Sequence, residues 1–194
     1  MKICIYGAGA IGGYIGALLA RSGLDITLIA RGPHLEAMKA NGLRLRVKGQ
    51  EILTRPFCTD DPSTLGPQDY VIVTLKAASI PAVAETMAPL LGAETAVVSA
   101  VNGIPWWYFH GLTGKYENRK LAAVDPENAQ WRQIGPERMI GCVVYPAAQI
   151  AEPGIIQHVE GDKFSLGEPT GKKTDRITTL SKVMIKAGIK APVR

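Results

Sequence analysis

Four features of this sequence could hold anions or polar groups: the glycine run Gly7-Ala8-Gly9-Ala10-Ile11-Gly12, the guanidinium of Arg31, the ammonium of Lys76 and the amide of Asn102. The glycines follow G-x-G-x-x-G. Between a strand and a helix, that spacing builds an anion cradle. Gly7 permits a tight turn, Gly9 lets a pyrophosphate approach the backbone, and Gly12 lets the helix lie close on the strand. Ala8, Ala10 and Ile11 complete the loop and first helical turn, whose open N–H groups and positive dipole end face the phosphates. The guanidinium of Arg31, at the end of the next strand, matches the 2′-phosphate of NADP, which it can grip at two points. NAD would call for an acidic residue there instead.

The elements that must position these groups are legible around them. Ile3 to Tyr6 reads as a short buried strand. Ile11, Ile15, Leu18 and Leu19 recur at helical spacing, and Ser22-Gly23 closes that helix. Asp25 to Ala30 supplies a second strand, completing a βαβ unit of about 30 residues. Arg31 follows this second strand, Lys76 follows Tyr70 to Leu75, and Asn102 follows Thr95 to Val101. Carboxyl ends of parallel strands form the ligand crevice of such sheets, so all three should face it. An Asn amide there can donate to one ligand oxygen and accept from another.

The remaining pattern predicts a helix opened by Pro33 and ended by Asn41-Gly42, then an antiparallel hairpin of Leu43–Val47 with Glu51–Phe57. Asp60 to Ser63 reads as a short helical or loop segment, and Ser79 caps a predicted helix reaching about Leu91. Residues 104–138 hold all three tryptophans and read as a long irregular excursion with one helix. Met139–Tyr145, Gly154–Val159 and Lys163–Leu166 read as strands, Asp175–Ala187 as an amphipathic helix, and Ile189–Val193 as a last short strand. The fold class is α/β: one Rossmann-type, doubly wound, mostly parallel sheet with an antiparallel extension, spanning 1–194.

Composition narrows the partners. Hydrophobic residues make up 46% and charged residues 20% of the chain, as in soluble globular proteins. The net charge is +5, but the basic residues are scattered without a run of five, which argues against nucleic acid and suits phosphate-rich cofactors and small carboxylates. Lys2 and the uncharged run Ile3–Ala20 imitate a leader or membrane span. Gly7, Gly9, Gly12, Gly13 and Gly16 interrupt that run, and removing it would delete the first strand, so it is read as part of the fold. The three cysteines lack C-x-x-C spacing and the histidines lack ligand partners. Free thiols in a reducing cytoplasm, and no metal, are therefore expected.

Taken together, Gly7-Ala8-Gly9-Ala10-Ile11-Gly12-Gly13, Arg31, Val73-Thr74-Leu75-Lys76-Ala77 and Val101-Asn102-Gly103 resemble the ketopantoate reductase (2-dehydropantoate 2-reductase) family. So do Gly141-Cys142-Val143-Val144-Tyr145 and Glu152-Pro153-Gly154-Ile155-Ile156-Gln157-His158. The resemblance implies NADPH-dependent reduction of 2-dehydropantoate to pantoate, on the way to pantothenate and coenzyme A. It implies that the glycine loop binds the pyrophosphate, Arg31 the 2′-phosphate, that Lys76 helps seat the cofactor, and that Asn102 lies by the nicotinamide and substrate. It also implies a helical substrate domain, carrying a general-acid Lys, that would begin beyond Arg194; Lys182, Lys186 and Lys190 belong to the first domain and are not that acid. This segment alone should then bind NADPH and turn over poorly. Three other readings stay open: a reductase of another small 2-keto acid, a non-catalytic NADP-binding regulatory module, and a structural dimerisation domain; a homodimer is compatible with any of them.

Overall fold

Two runs of β-branched and aliphatic residues flank the first helix, and they set the centre of the architecture. The computed structural model describes residues 1–194. In chain order, β1 (Lys2–Tyr6), α1 (Ala10–Arg21), β2 (Asp25–Ile29) and α2 (Gly32–Asn41) form the opening unit. β3 (Leu43–Val47) and β4 (Gln50–Thr54) make the expected hairpin, pairing Leu43 with Thr54 and Val47 with Gln50. β5 (Phe57–Thr59), β6 (Gln68–Val73) and β7 (Leu91–Ser99) follow. The chain ends with α3 (Ala129–Gln133), β8 (Met139–Val144), β9 (Ala147–Glu152), β10 (Ile155–Glu160), β11 (Phe164–Gly167) and α4 (Asp175–Lys186).

The main sheet has the order β11-β8-β7-β6-β1-β2-β5. Every neighbouring pair is parallel except β8 with β11. From β1 the chain steps outward through β2 to β5, then returns to the other side of β1 with β6 and continues outward to β8. This reversal is the doubly wound order of dinucleotide-binding sheets, and it opens a crevice beyond the carboxyl ends of β1 and β6.

The hairpin is not an extension of this sheet. It belongs to a separate four-stranded sheet, β4-β3-β10-β9, in which β3 pairs with β10 in parallel. α1 lies between the two sheets, touching β2 on one side and β3, β4, β9 and β10 on the other. That placement explains why α1 is apolar all round, with every residue from Gly12 to Leu19 buried. Gly16 faces Leu28 of the large sheet, and Gly13 faces Ile156 of the small one. A Cβ would stand 2.6 Å from Leu28 Cδ2 at Gly16 and 2.7 Å from Ile156 Cγ1 at Gly13, so both glycines set how closely the layers approach.

Several elements differ from the sequence expectation. The strand predicted over Glu51–Phe57 stops at Thr54, because Pro56 lacks the N–H to continue the ladder; Phe57 instead opens β5 beside β2. The helix expected from Ser79 to about Leu91 is a string of 3-10 turns at Ala77–Ser79, Pro81–Val83 and Glu85–Leu90, and Ser79 caps nothing. Pro81 and Pro89 remove two donors from that stretch, and the turns still bury Ala84, Met87 and Leu90 against the sheet. β9 was not anticipated, since Ala147-Ala148-Gln149 has weak strand propensity; its pairing with β10 holds it. Ile189–Val193 contributes only two isolated bridges, Lys190 to Lys163 and Val193 to Leu166.

Residues 104–138 cross one face of the main sheet as turns, with α3 as their helix. Buried Asp125 opens α3 by accepting the N–H groups of Gln130 (2.8 Å) and Trp131 (3.0 Å). Trp106 packs edge-on against Trp131 and is buried under the sheet. α4 covers the opposite face, with Ile177, Leu180 and Met184 in the same core as α1. At its start, Arg176 Nη2 donates to Glu168 Oε2 at 2.6 Å and Nε donates to Oε1 at 2.9 Å, while Nη1 and Nη2 also reach the carbonyls of Glu137 and Met139.

Candidate cofactor site at the carboxyl edge

β1, β6 and β7 end in register at Tyr6, Val73 and Ser99, and β2 ends at Ile29 opposite Tyr6. The glycine run, Arg31, Lys76 and Asn102 follow these four ends, so the fold brings all the residues singled out in the sequence to one edge.

The glycine turn is held from within. The N–H groups of Gly7 and Ala8 both donate to the Ile29 carbonyl, at 3.1 and 2.7 Å, and Gly9 N–H donates to the Gly7 carbonyl at 2.7 Å. Gly7 has φ +101°, where an L side chain is strained, and a Cβ there would also meet Leu75 at 2.6 Å. Ala8 therefore builds the turn and offers no free donor. At α1, Gly13 N–H is taken by the Gly9 carbonyl at 2.7 Å and no side chain caps the helix. The open donors are those of Ala10, Ile11 and Gly12. A Cβ on Gly9 would find nothing nearer than the Gly7 carbonyl at 4.0 Å. Open donors at a helix N-terminus, beside a glycine face left clear, fit a pyrophosphate.

Gly12 has the opposite surroundings. A Cβ there would stand 2.5 Å from both the Gly7 carbonyl and the Thr74 hydroxyl. Thr74, just past β6, donates to that same carbonyl at 2.6 Å, and its N–H donates to the Tyr6 carbonyl at 3.0 Å. This lock was missed from sequence; its only signal is a hydroxyl at the end of the strand beside the glycine turn. Gly12→Ala pushes a methyl into a backbone carbonyl, so we expect a loss of at least about 1 kcal/mol of stability with weakened dinucleotide binding, read by thermal melts and titration.

Arg31 is the extended residue before α2, exposed and in no salt bridge. Lys76 stands likewise before the first 3-10 turn, exposed and unpaired. Two unpaired cations at the crevice fit a ligand rich in phosphate. Asn102 is placed differently from a free ligand-facing amide. Its Nδ2 donates to the Val144 carbonyl and its Oδ1 accepts the Val144 N–H, both at 2.9 Å, so it splices the end of β7 to β8. One amide hydrogen and one oxygen lone pair remain.

A cavity of about 780 Å³ lies elsewhere, between α3 and the amino end of β7, lined by His110, Trp131 and Arg138 among others. It is outside the carboxyl edge and collects none of the four features. No group of three His, Cys, Asp or Glu side chains is arranged to hold a metal. All three cysteines are free and buried, and burial pushes the thiols up to about 12 for Cys4 and Cys142 and about 11 for Cys58. They are poor nucleophiles. No helix is long and apolar enough to cross a membrane.

The sheet order, the glycine turn and the open helix end define a Rossmann-type dinucleotide-binding domain. The family profile described as "Ketopantoate reductase PanE/ApbA" matches residues 3–171, and the chain belongs to that family of oxidoreductases. It is 53% identical, over its whole length, to a 2-dehydropantoate 2-reductase of Mesorhizobium japonicum, and spans 60% of that protein. Among solved structures, a candidate ketopantoate reductase from Ralstonia solanacearum superposes with TM-score 0.93 at 41% identity, over 98% of this chain and 59% of that one. A 2-dehydropantoate 2-reductase from Geobacter metallireducens gives TM-score 0.81 at 30% identity, over 100% of this chain and 58% of its own. The chain thus spans about three-fifths of the proteins it matches.

Proposed function

We propose that this chain is the cofactor-binding part of an NADPH-dependent reductase that converts 2-dehydropantoate to pantoate. Bound NADPH would supply a hydride to the ketone carbon, and a proton delivered to the ketone oxygen completes the alcohol. The residues of this chain bind and orient. The N–H groups of Ala10, Ile11 and Gly12 receive the pyrophosphate against the clear face of Gly9. Gly7 and Ala8 hold the turn that aims them, and Gly12 keeps α1 on the strand. Arg31 reads the 2′-phosphate, and Lys76 balances the remaining charge. Asn102 holds the β7–β8 edge and turns its spare amide hydrogen toward the nicotinamide and the keto acid.

The observation that carries this reading is the conjunction at one edge of a helix end with open donors and an unpaired Arg31 where the ribose phosphate falls. No residue of this chain is assigned as the proton donor: Lys76 is read as a partner of the phosphates, Lys163 Nζ lies 3.8 Å from the Tyr145 ring, Lys190 Nζ pairs with Asp162 at 3.0 Å, and Lys182 and Lys186 lie on α4. The expected result is therefore saturable NADPH binding with slow turnover. Fluorescence titration of NADPH, followed by its oxidation at saturating 2-dehydropantoate, tests both parts. Turnover should fall below about 1 s⁻¹, the low end for ordinary enzymes. Absence of NADPH binding would overturn the cofactor assignment. A rate in the usual range would overturn the claim that the proton donor is missing. A panel of other 2-keto acids decides the substrate.

A further inference from the structure

The turn Pro153-Gly154 between β9 and β10 has no part in the reading above, yet it is built into the cofactor site through one side chain. His34, in the first turn of α2, accepts the Gly154 N–H on Nδ1 at 2.9 Å. The Gly154 carbonyl in turn accepts the Arg44 N–H of β3, also at 2.9 Å. Gly154 has φ +80°, and a Cβ there would stand 3.2 Å from the Ala37 Cβ, so the turn lies directly on α2. Because Nδ1 is an acceptor, the neutral ring carries its hydrogen on Nε2. Nε2 is buried and completes no hydrogen bond of normal geometry. Burial holds the ring below the usual imidazole range, and the backbone of Ala8 beside it offsets this only in part. Ala8 is the residue of the glycine turn whose N–H is fixed on Ile29. One imidazole thus stands between the small sheet and the phosphate cradle.

We propose that His34 is a positioning residue for the dinucleotide: tied to Gly154 through Nδ1, its ring backs the Ala8 turn and so fixes the helix donors that receive the pyrophosphate. The proposal rests on the cofactor reading above. The ring supports a part of the site that NADPH and NADH share, so its loss should weaken both cofactors alike, unlike the loss of Arg31. The Nδ1 acceptor is the essential atom. Asn carries an acceptor on the same branch from Cβ and preserves the tie, whereas Gln places its amide near the Nε2 position and abandons it.

The test measures NADPH and NADH affinities of the 194-residue chain and of His34→Ala, His34→Asn and His34→Gln, well below each melting temperature. The expected result is about a ten-fold weakening of both cofactors in His34→Ala and His34→Gln, and recovery to within two- to three-fold of the parent in His34→Asn. A purely structural role would lower melting temperature while leaving the affinities of the folded variants unchanged, and that result overturns the proposal. So does weakening confined to NADPH, which would place the effect on α2 and Arg31, or a His34→Asn variant no better than His34→Gln. If His34→Ala does not fold, the Asn and Gln pair decides alone. Failure of the parent chain to bind either dinucleotide sinks the cofactor reading itself, and this inference with it.

Discussion

Arg31→Ala is expected to weaken NADPH binding by roughly 1.5–3 kcal/mol, the usual worth of hydrogen bonds to a charged group, or roughly ten- to 150-fold in Kd. NADH binding should change little. The difference between the two cofactors is one phosphate. Arg31 enters the crevice with no intramolecular partner to satisfy or abandon, so the variant leaves the folded chain intact. Paired titrations of NADPH and NADH against parent and variant read the effect directly. Equal losses for both would assign Arg31 to the diphosphate or to general charge balance, and would remove the basis for preferring NADP. Salt sharpens the distinction, because the contact of an exposed guanidinium with a dianion is screened within a Debye length of about 8 Å at physiological ionic strength.

Arg176→Met is expected to destabilise the fold by about 3 kcal/mol, the low end for removing one member of a buried ion pair. The Glu168 side chain is 3% exposed and would be left alone, while Arg176 keeps 33% exposure and so gives up less on removal. Burial alone would raise the Glu168 carboxyl, but hydrogen bonds from Arg176 and Thr174 outweigh it and hold the group below the usual carboxylate range. With the folded value depressed, the pair's contribution is present above the unfolded carboxylate value and is lost as pH falls through the folded one. The variant should therefore show a flatter acid limb in its stability profile. Chemical denaturation across pH, with a Glu168→Gln, Arg176→Met double variant, checks this: replacing both partners should cost less than the sum of the single changes. Additive losses would show that the two groups act independently.

The parts of the fold legible in the sequence are those fixed by local chemistry. The glycine spacing and the apolar strands before and after it placed β1, α1 and β2, because each needs only its own residues and its neighbour in the chain. Arg31, Lys76 and Asn102 could be placed at one edge from strand ends alone. What local pattern could not carry is the layer on the far side of α1. Alternation in Leu43–Val47 revealed a half-exposed strand, but nothing in it specified a parallel partner at Ile155–Gln157. The prolines at 81 and 89 were visible, yet the apolar residues between them matched a helix well enough to hide the 3-10 turns. An Asn-Gly pair after a strand suggests an amide facing a ligand but says nothing of Val144, which approaches only through β8 and takes up part of that amide. His34 and Thr74 went unnoticed for the same reason: their partners lie far along the chain.

The sandwiching of α1 has a consequence for how the protein comes into being. Synthesis delivers β1, α1 and β2 first and β3 and β4 soon after, but the part of the outer flank of α1 around Gly13 that Ile156 covers stays open until β10 is made. Until then the nascent polypeptide carries the phosphate-binding signature on a helix whose greasy side is only partly covered, and long-range parallel pairing is slow to form. Ligand capture must therefore wait until β10 has been made, and during that interval the segment before it is a natural client for a chaperone.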